Sequence, residues 1–226
     1  FVTIASTGNA TDFGNLLEAQ QEPTGFSNQT RGVWMNGAPN NDRIQYVTIA
    51  SAGNSVDFGD AIFSGSSRGG LASSTRGVVA GGESSTSPHP YINAMEFITI
   101  ASTGDGTDFG DLTVIRRFAA GGGNSTRGIF AAGYSGSPAG ANTIDYITIA
   151  STGNATDFGD MTVVASYTGG SSSSPTRMCV YDSSSPSVKN IEKIEIATTG
   201  NGVDFGDTVV AHYAGGSNVS NGHGGL

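Results

Sequence analysis

Basic residues are scarce in this chain: ten Lys and Arg stand against nineteen Asp and Glu, the formal net charge is −9, and no basic run occurs. Nucleic-acid binders draw most of their affinity from neutralising phosphates, so this balance argues against a nucleic-acid partner. No apolar stretch approaches the roughly 20 residues of a membrane span, which argues against membrane insertion. The single cysteine, Cys179, excludes an internal disulfide framework and any multi-cysteine metal site. Three histidines are present, His89, His212 and His223, none at a metal-ligand spacing. Serines are abundant, yet no G-x-S-x-G elbow occurs. The catalytic inventory is therefore thin, and the expectation is a protein that is not an enzyme and carries no cofactor. Cys179 lies in an apolar run and reads as inert core.

What the chain has in quantity is glycine, 35 residues, with only seven prolines and 13% charged residues. Such a composition fits either disorder or short strands joined by many turns. Hydrophobic residues reach 36% and come in regularly spaced clusters, which decides for an ordered core.

The clusters belong to an internal repeat. FVTIASTGNATDFGNL (1–16) recurs at 46–61, 97–112 and 146–161, with a weaker copy, KIEIATTGNGVDFGDT, at 193–208. Counted from Thr3, the equivalent positions Thr48, Thr99, Thr148 and Glu195 follow at spacings of 45, 51, 49 and 47 residues. Between the copies stand TRGVWMNG (30–37), TRGVVAGG (75–82), TRGIFAAG (126–133) and TRMCVYDS (176–183), each preceded by a short apolar run and a Gly/Ser turn. YITIAS has the β-branched and aromatic content of a strand. TGNATDFGD is turn chemistry, and TVVASY and TRGIFAAG are two further strands joined by a hairpin. No segment keeps a 3.6-residue apolar period over ten positions.

About four strands in 45–51 residues is the size of a propeller blade. The expected fold is all-β: one domain over 1–226, a five-bladed β-propeller with about four antiparallel strands per blade. The last unit, VDFGDTVVAHYAGGSNVSNGHGGL, lacks its own YITIAS strand, and FVTIAST at the start supplies one. The N-terminal strand is thus expected to complete the C-terminal blade and close the ring, removing two sheet edges. The chain opens on Phe1 inside a repeat, without a start methionine or signal peptide, and so reads as part of a longer or processed product.

The strand ending in Gly-Gly, as in VVAGG (78–82), resembles the kelch repeat. The fuller pattern, TRG followed by two hydrophobic residues and Ala-Gly-Gly, then YITIASTGNATDFGDL, resembles repeat proteins of tailed phages of marine cyanobacteria. The resemblance covers nearly the whole chain. It implies a virion-associated or tail-fibre-like protein at a virion or extracellular surface, with a surface glycan or another virion protein as partner and a homo-oligomer or larger assembly as its setting. WMNG (34–37), CVYD (179–182) and HGG (223–225) depart from the pattern, as drift or as a ligand site.

Several recurring residues carry alternative readings. Asp12, Asp57, Asp108, Asp157 and Asp204 share one loop position, followed by Asn15, Asp60, Asp111, Asp160 and Asp207. Paired oxygens on a Gly-rich loop suit Ca²⁺, but the calcium-loop spacing is missing, and turn-capping by each Asp is favoured over a metal. Arg31, Arg76, Arg127 and Arg177 open the Gly-Gly strands, and the favoured reading is an Arg–Asp bridge locking blade to blade, ahead of a ring of Arg attracting an anion. Phe13, Phe58, Phe109, Phe158 and Phe205 read as wedges between blades, each burying on the order of 150–250 Å². Ligand-binding candidates are the aromatics outside these positions, Trp34, Tyr91, Tyr134, Tyr181 and Tyr213, with Asn36, Asn40 and His89. A ring covers the apolar face of a sugar while neighbouring polar groups bond its hydroxyls. The alternative to glycan recognition is a purely structural propeller making protein–protein contacts in a larger assembly, and a glycan hydrolase, the third reading, needs clustered acids in the channel.

If the N-terminal strand fastens the ring, deleting residues 1–7 lowers the melting temperature of the whole domain in one cooperative transition. Far-UV circular dichroism on heating checks this against a merely frayed end.

Overall fold

The computed structural model describes residues 1–3, 6–38, 41–136, 140–183 and 188–212. Those residues hold eighteen strands and no helix, so the chain is all-β. Four antiparallel four-stranded sheets follow one another along the sequence in a β-propeller arrangement. Blade one is β1 (Thr24–Ser27), β2 (Arg31–Gly37), β3 (Asn41–Thr48) and β4 (Val56–Asp60). Blade two is β6 (Gly69–Ala72), β7 (Arg76–Ala80), β9 (Ala94–Thr99) and β10 (Thr107–Asp111), beside a small ladder of β5 (Gly65–Ser66) with β8 (Glu83–Ser84). Blade three is β11 (Ala120–Gly123), β12 (Arg127–Ala131), β13 (Ala141–Thr148) and β14 (Thr156–Ala165). Blade four is β15 (Tyr167–Ser173), β16 (Arg177–Ser183), β17 (Val188–Glu195) and β18 (Val203–His212).

Four complete blades among the described residues, not five, correct the sequence expectation. The reason lies in how the repeat is cut. A blade runs Gly-rich strand, TRG strand, TIAS strand, TDFGD strand, so the unit counted from TIAS straddles two blades. The TIAS–TDFGD pattern occurs five times in the sequence, but only four copies follow a described Gly-rich and TRG pair. The first copy has no such pair before it. Phe1 and Thr11 exchange both backbone bonds, at 2.7 and 2.9 Å, in the register of Phe97 with Thr107 and Tyr146 with Thr156. The N-terminal segment therefore pairs with its own residues, and no described bond joins it to β18. The remainder of the last unit, 213–226, lies outside the described residues.

No blade has a core of its own. The buried apolar residues form three clusters, each lying between neighbours: Met35, Ile44 and Phe58 of blade one meet Val79 and Ile100 of blade two. Leu71, Val78 and Phe109 of blade two meet Phe130 and Ile149 of blade three, whose Ile129 and Ile144 meet Met178 and Ile194 of blade four. Val78 and Val79 point into different clusters because successive strand residues face opposite ways. Both faces of an inner blade are covered, which is why its TRG strand reads as an unbroken apolar run.

Each TDFGD strand carries a bulge. Ile44 pairs with Gly59 and Gln45 with Asp57, leaving Phe58 as the extra residue, and the same shift recurs at Phe109, Phe158 and Phe205. The following glycine has a positive φ, +131° at Gly110, and a Cβ there would lie 2.5 Å from the carbonyl oxygen of Gly153 in the next blade. Only glycine lets the loop approach so closely.

One buried polar position recurs in the TIAS strands. Gln45, Glu96, Asp145 and Glu192 occupy one equivalent position and are all fully buried. Each accepts a backbone N–H from the end of the preceding TDFGD strand: Leu17 (2.9 Å), Ile62 (2.7 Å), Thr113 (3.2 Å) and Thr162 (2.8 Å). Arg68 pairs with Glu96 and also donates to the Gly81 carbonyl at 2.9 Å, while Arg116 pairs with Asp145 at 2.8 Å. Burial pulls both guanidinium groups below the usual arginine range, and the carboxylates oppose that pull. Removing one partner of such a pair strands the other charge. Glu96→Gln is expected to cost about 3–5 kcal/mol, read as a lower urea midpoint.

Candidate functional site

Antiparallel pairing sorts the loops onto two faces. One face carries the STGNATD loops and the SSTR turns, nearly identical in every blade. The other carries the irregular connections leaving the TRG strands and those entering the Gly-rich strands. Binding residues are expected among such variable loops on a rigid frame. The Gly-rich strands line the axis, where Thr24 Oγ1 donates to Arg68 O at 3.0 Å and Ser171 Oγ to Gly121 O at 2.6 Å. They leave a cleft of about 360 Å³ with walls from all four blades, including Thr24, Gly70, Gly121 and Gly170. At its rim stand Glu22, Ser67, Phe118 and Thr168. Glu22, Ser67 and Phe118 have φ of +54°, +60° and +58°. This sharp turn directs their side chains differently from the strand that follows.

Beside that rim is an aromatic cluster. Tyr91 and Tyr134 stand 5.6 Å apart edge to face, Tyr134 and Tyr167 are stacked at 6.4 Å, and Phe118 and Tyr167 lie at 5.0 Å. The Arg117 guanidinium sits over Tyr91 (4.9 Å), Phe118 (4.9 Å) and Tyr134 (5.4 Å) and pairs with Glu83. Backbone bonds between Arg117 and Tyr134, at 3.0 and 2.8 Å, hold the centre of the cluster in place. The three tyrosines are half-buried, so each keeps part of its surface in contact with solvent. A planar cation among rings, with one carboxylate at the side, suits a ligand having both apolar faces and hydroxyl groups.

Tyr91 and Tyr134 are thus brought together, while the other expected ligand residues are not. Asn36 is fully buried, donating to Phe63 O at 2.6 Å and accepting from Arg68 at 3.1 Å, so it serves the Arg68–Glu96 network and not a ligand. Its left-handed φ of +61° matches Gly81 (+63°) and Ala132 (+55°), the first position of the Gly-Gly stretch. Trp34 lies on β2 over Gly32, facing the N-terminal hairpin along an apolar groove shared with Phe1, Phe13, Val47 and Ile49. His89 is exposed in the loop before Tyr91, and Tyr181 sits half-buried near the end of β16. Asn40 and Tyr213 lie outside the described residues. Arg117, Phe118 and Tyr167 were not singled out in the sequence. The signal for Arg117 and Phe118 is the RRF lead-in to blade three, whose counterparts are QQE (20–22), GSS (65–67) and SYT (166–168), the last of which contains Tyr167.

The recurring arginines do link blades, though not to Asp. Arg31 donates to Ile100 O (2.7 Å), Arg76 to Ile149 O (3.0 Å) and Arg127 to Ile196 O (2.7 Å), each a backbone carbonyl of the next blade. Each guanidinium also lies over an aromatic ring of its own blade, Tyr46, Phe97 or Tyr146, at 4.3–4.7 Å. The carboxylates are too far out in solvent to serve, since all five first-position Asp residues are exposed. Blade four has Lys193 in place of the ring, and there Arg177 turns to Glu195 of the same blade at 2.6 Å. Asp12 and Asp204 cap their own turns, accepting from Gly14 (3.1 Å) and Gly206 (3.0 Å). Phe58, Phe109 and Phe158 are buried wedges, whereas Phe205 is 58% exposed, which corrects the wedge reading for the last copy.

Among the described residues no three His, Cys, Asp or Glu side chains gather as metal ligands, and no helix is long and apolar enough to cross a membrane. Compared with known proteins, the chain matches no family model and no curated relative.

Exposed loop carboxylates contribute little to stability. Asp157→Asn is expected to shift unfolding free energy by less than about 0.5 kcal/mol. Millimolar CaCl₂ is expected to leave the melting temperature of the unmodified protein unchanged. A rise of several degrees with Ca²⁺ reverses the reading of these loops.

Proposed function

We propose that the chain is a non-enzymatic recognition propeller that binds a surface glycan at the Tyr91–Tyr134–Tyr167 cluster beside the axial cleft. The observation that carries this reading is the gathering of three tyrosines and Phe118 around Arg117 on the variable face. Rings in fixed positions lose little conformational freedom on binding, and Arg117 with Glu83 supplies donors and acceptors for hydroxyls. The resemblance of the repeat to kelch and tail-fibre-like sequences agrees with a role at a virion or extracellular surface. Fold alone carries no function, so the proposal rests on the cluster.

A second reading, a purely architectural propeller making protein contacts in a larger assembly, draws on the apolar residues exposed near the two ends of the described residues, among them Phe1, Val2, Val209 and Val210.

Glycan-array binding of the recombinant chain separates the two. Under the leading reading a defined set of glycans binds, and Tyr134→Ala or Tyr167→Ala weakens that binding about tenfold or more, corresponding to about 1.4 kcal/mol, with the melting curve little changed. Absence of glycan binding at high protein concentration, together with self-association in sedimentation, favours the architectural reading.

A further inference from the structure

The junction between successive blades is built from one repeated set of bonds. At each junction the loop between TIAS and TDFGD strands sends two backbone N–H groups to the preceding TDFGD strand. Gly104 donates to Phe58 O (2.8 Å) and Gly106 to Asp60 O (2.8 Å); Gly153 and Ala155 do the same to Phe109 and Asp111, and Gly200 and Gly202 to Phe158 and Asp160. A side chain of the loop answers in reverse. Asp105 accepts from the Asp60 amide (3.0 Å), Asn154 from Asp111 (3.0 Å) and Asn201 from Asp160 (3.1 Å).

The N-terminal hairpin joins blade one by the same set. Gly53 donates to Phe13 O (2.7 Å), Ser55 to Asn15 O (2.9 Å), and Asn54 accepts from the Asn15 amide (2.9 Å). The hairpin thus already occupies the sector that precedes blade one. Its own loop carries Gly8 and Asn9 at the equivalent positions, and the next residue, Ala10, is exposed where Ser55, Ala155 and Gly202 at the seated loops are buried. The complementary surface is bare on the last described strand, β18. Phe205 is 58% exposed where Phe58, Phe109 and Phe158 are 2–3%, and a Cβ at Gly206 would meet nothing among the described residues where one at Gly159 lies 2.6 Å from Gly200.

We propose that these two surfaces meet within one chain, the Gly8–Asn9 loop seating on the Phe205–Asp207 strand as a fifth copy of the junction. In that seam Gly8 N–H donates to Phe205 O and Asn9 Oδ1 accepts from the Asp207 amide. The contact is face to face between neighbouring sectors, not the strand pairing expected from the sequence. Intramolecular closure is preferred over a second copy because blades one and four both wall the same narrow axial cleft. The chain has already come round its axis, and the hairpin stands in the sector left between its ends.

Two measurements test it. In the full chain carrying Cys179→Ser, the pair Asn9→Cys with Asp207→Cys is compared on mild oxidation with Asn154→Cys and Asp111→Cys, which sit at an established junction. The seam predicts that both pairs form an intramolecular disulfide in the monomer. A control pair that closes while the seam pair stays reduced overturns it, and disulfide-linked multimers from the seam pair overturn it in favour of a second copy. In the unmodified protein, hydrogen exchange gives a reading free of mutation. The amides of Gly8 and Asp207 are expected to be protected to within about tenfold of Gly153 and Asp111, and exchange as fast as a free loop refutes the seam.

Discussion

The structure depends on one contact, the seating of a STGNATD loop on the bulged TDFGD strand of the blade before it. Blades have no private core, so an isolated blade leaves both apolar faces in water. Burial is achieved only when neighbours approach, and approach is limited by backbone atoms at Gly110 and its equivalents, where no side chain fits. Once the loop is seated, the bulged Phe is driven inward, the buried carboxylate of the next TIAS strand receives its N–H, and the TRG arginine reaches its carbonyl. The three contacts cooperate because one displacement breaks them all.

The buried ion pairs show how the repeat is varied without being broken. Position by position, the TIAS strands hold Gln45, Glu96, Asp145 and Glu192, and the backbone amide that each receives is the constant element. What else bonds the buried group differs. Arg68 answers Glu96, Arg116 answers Asp145, Thr162 and Asn190 bond Glu192, and Gln45 is uncharged and bonded by Ser55. Arg116 comes from the same lead-in that supplies Arg117 and Phe118. One lead-in thus serves the core with its first arginine and the aromatic cluster with its second.

Strand content, repeat length and the propeller class are legible in the sequence because period-two strands and Gly-rich turns recur at fixed spacing. Blade number is not, since the repeat can be cut at any strand and a blade is defined by pairing. The arginines are legible as linkers, but their acceptors are backbone carbonyls of Ile100, Ile149 and Ile196, which no side-chain pattern reveals. The buried carboxylates were open to detection as lone acids inside apolar strands, as in AMEFIT and TIDYIT. Of the candidate site, Tyr91 and Tyr134 stand out as aromatics off the repeat. Tyr167 escapes notice because it occupies an ordinary strand start, and Asn36 misleads because a buried amide and an exposed one look alike in a sequence.

The near-identity of the junctions has a consequence for how the chain reaches this arrangement. Any STGNATD loop is chemically competent to dock on any TDFGD strand, so the interfaces themselves carry little information about blade order. Order is imposed by covalent connection: adjacent blades meet first because short tethers give them the highest local concentration. Skipping a blade would bury similar surface in a frame-shifted ring, a misassembly characteristic of repetitive domains. The features that tell junctions apart, Arg116 against Arg68, Lys193 against Tyr146, Trp34 against Phe130, are the irregular ones. Departures from the repeat therefore act as its addressing system.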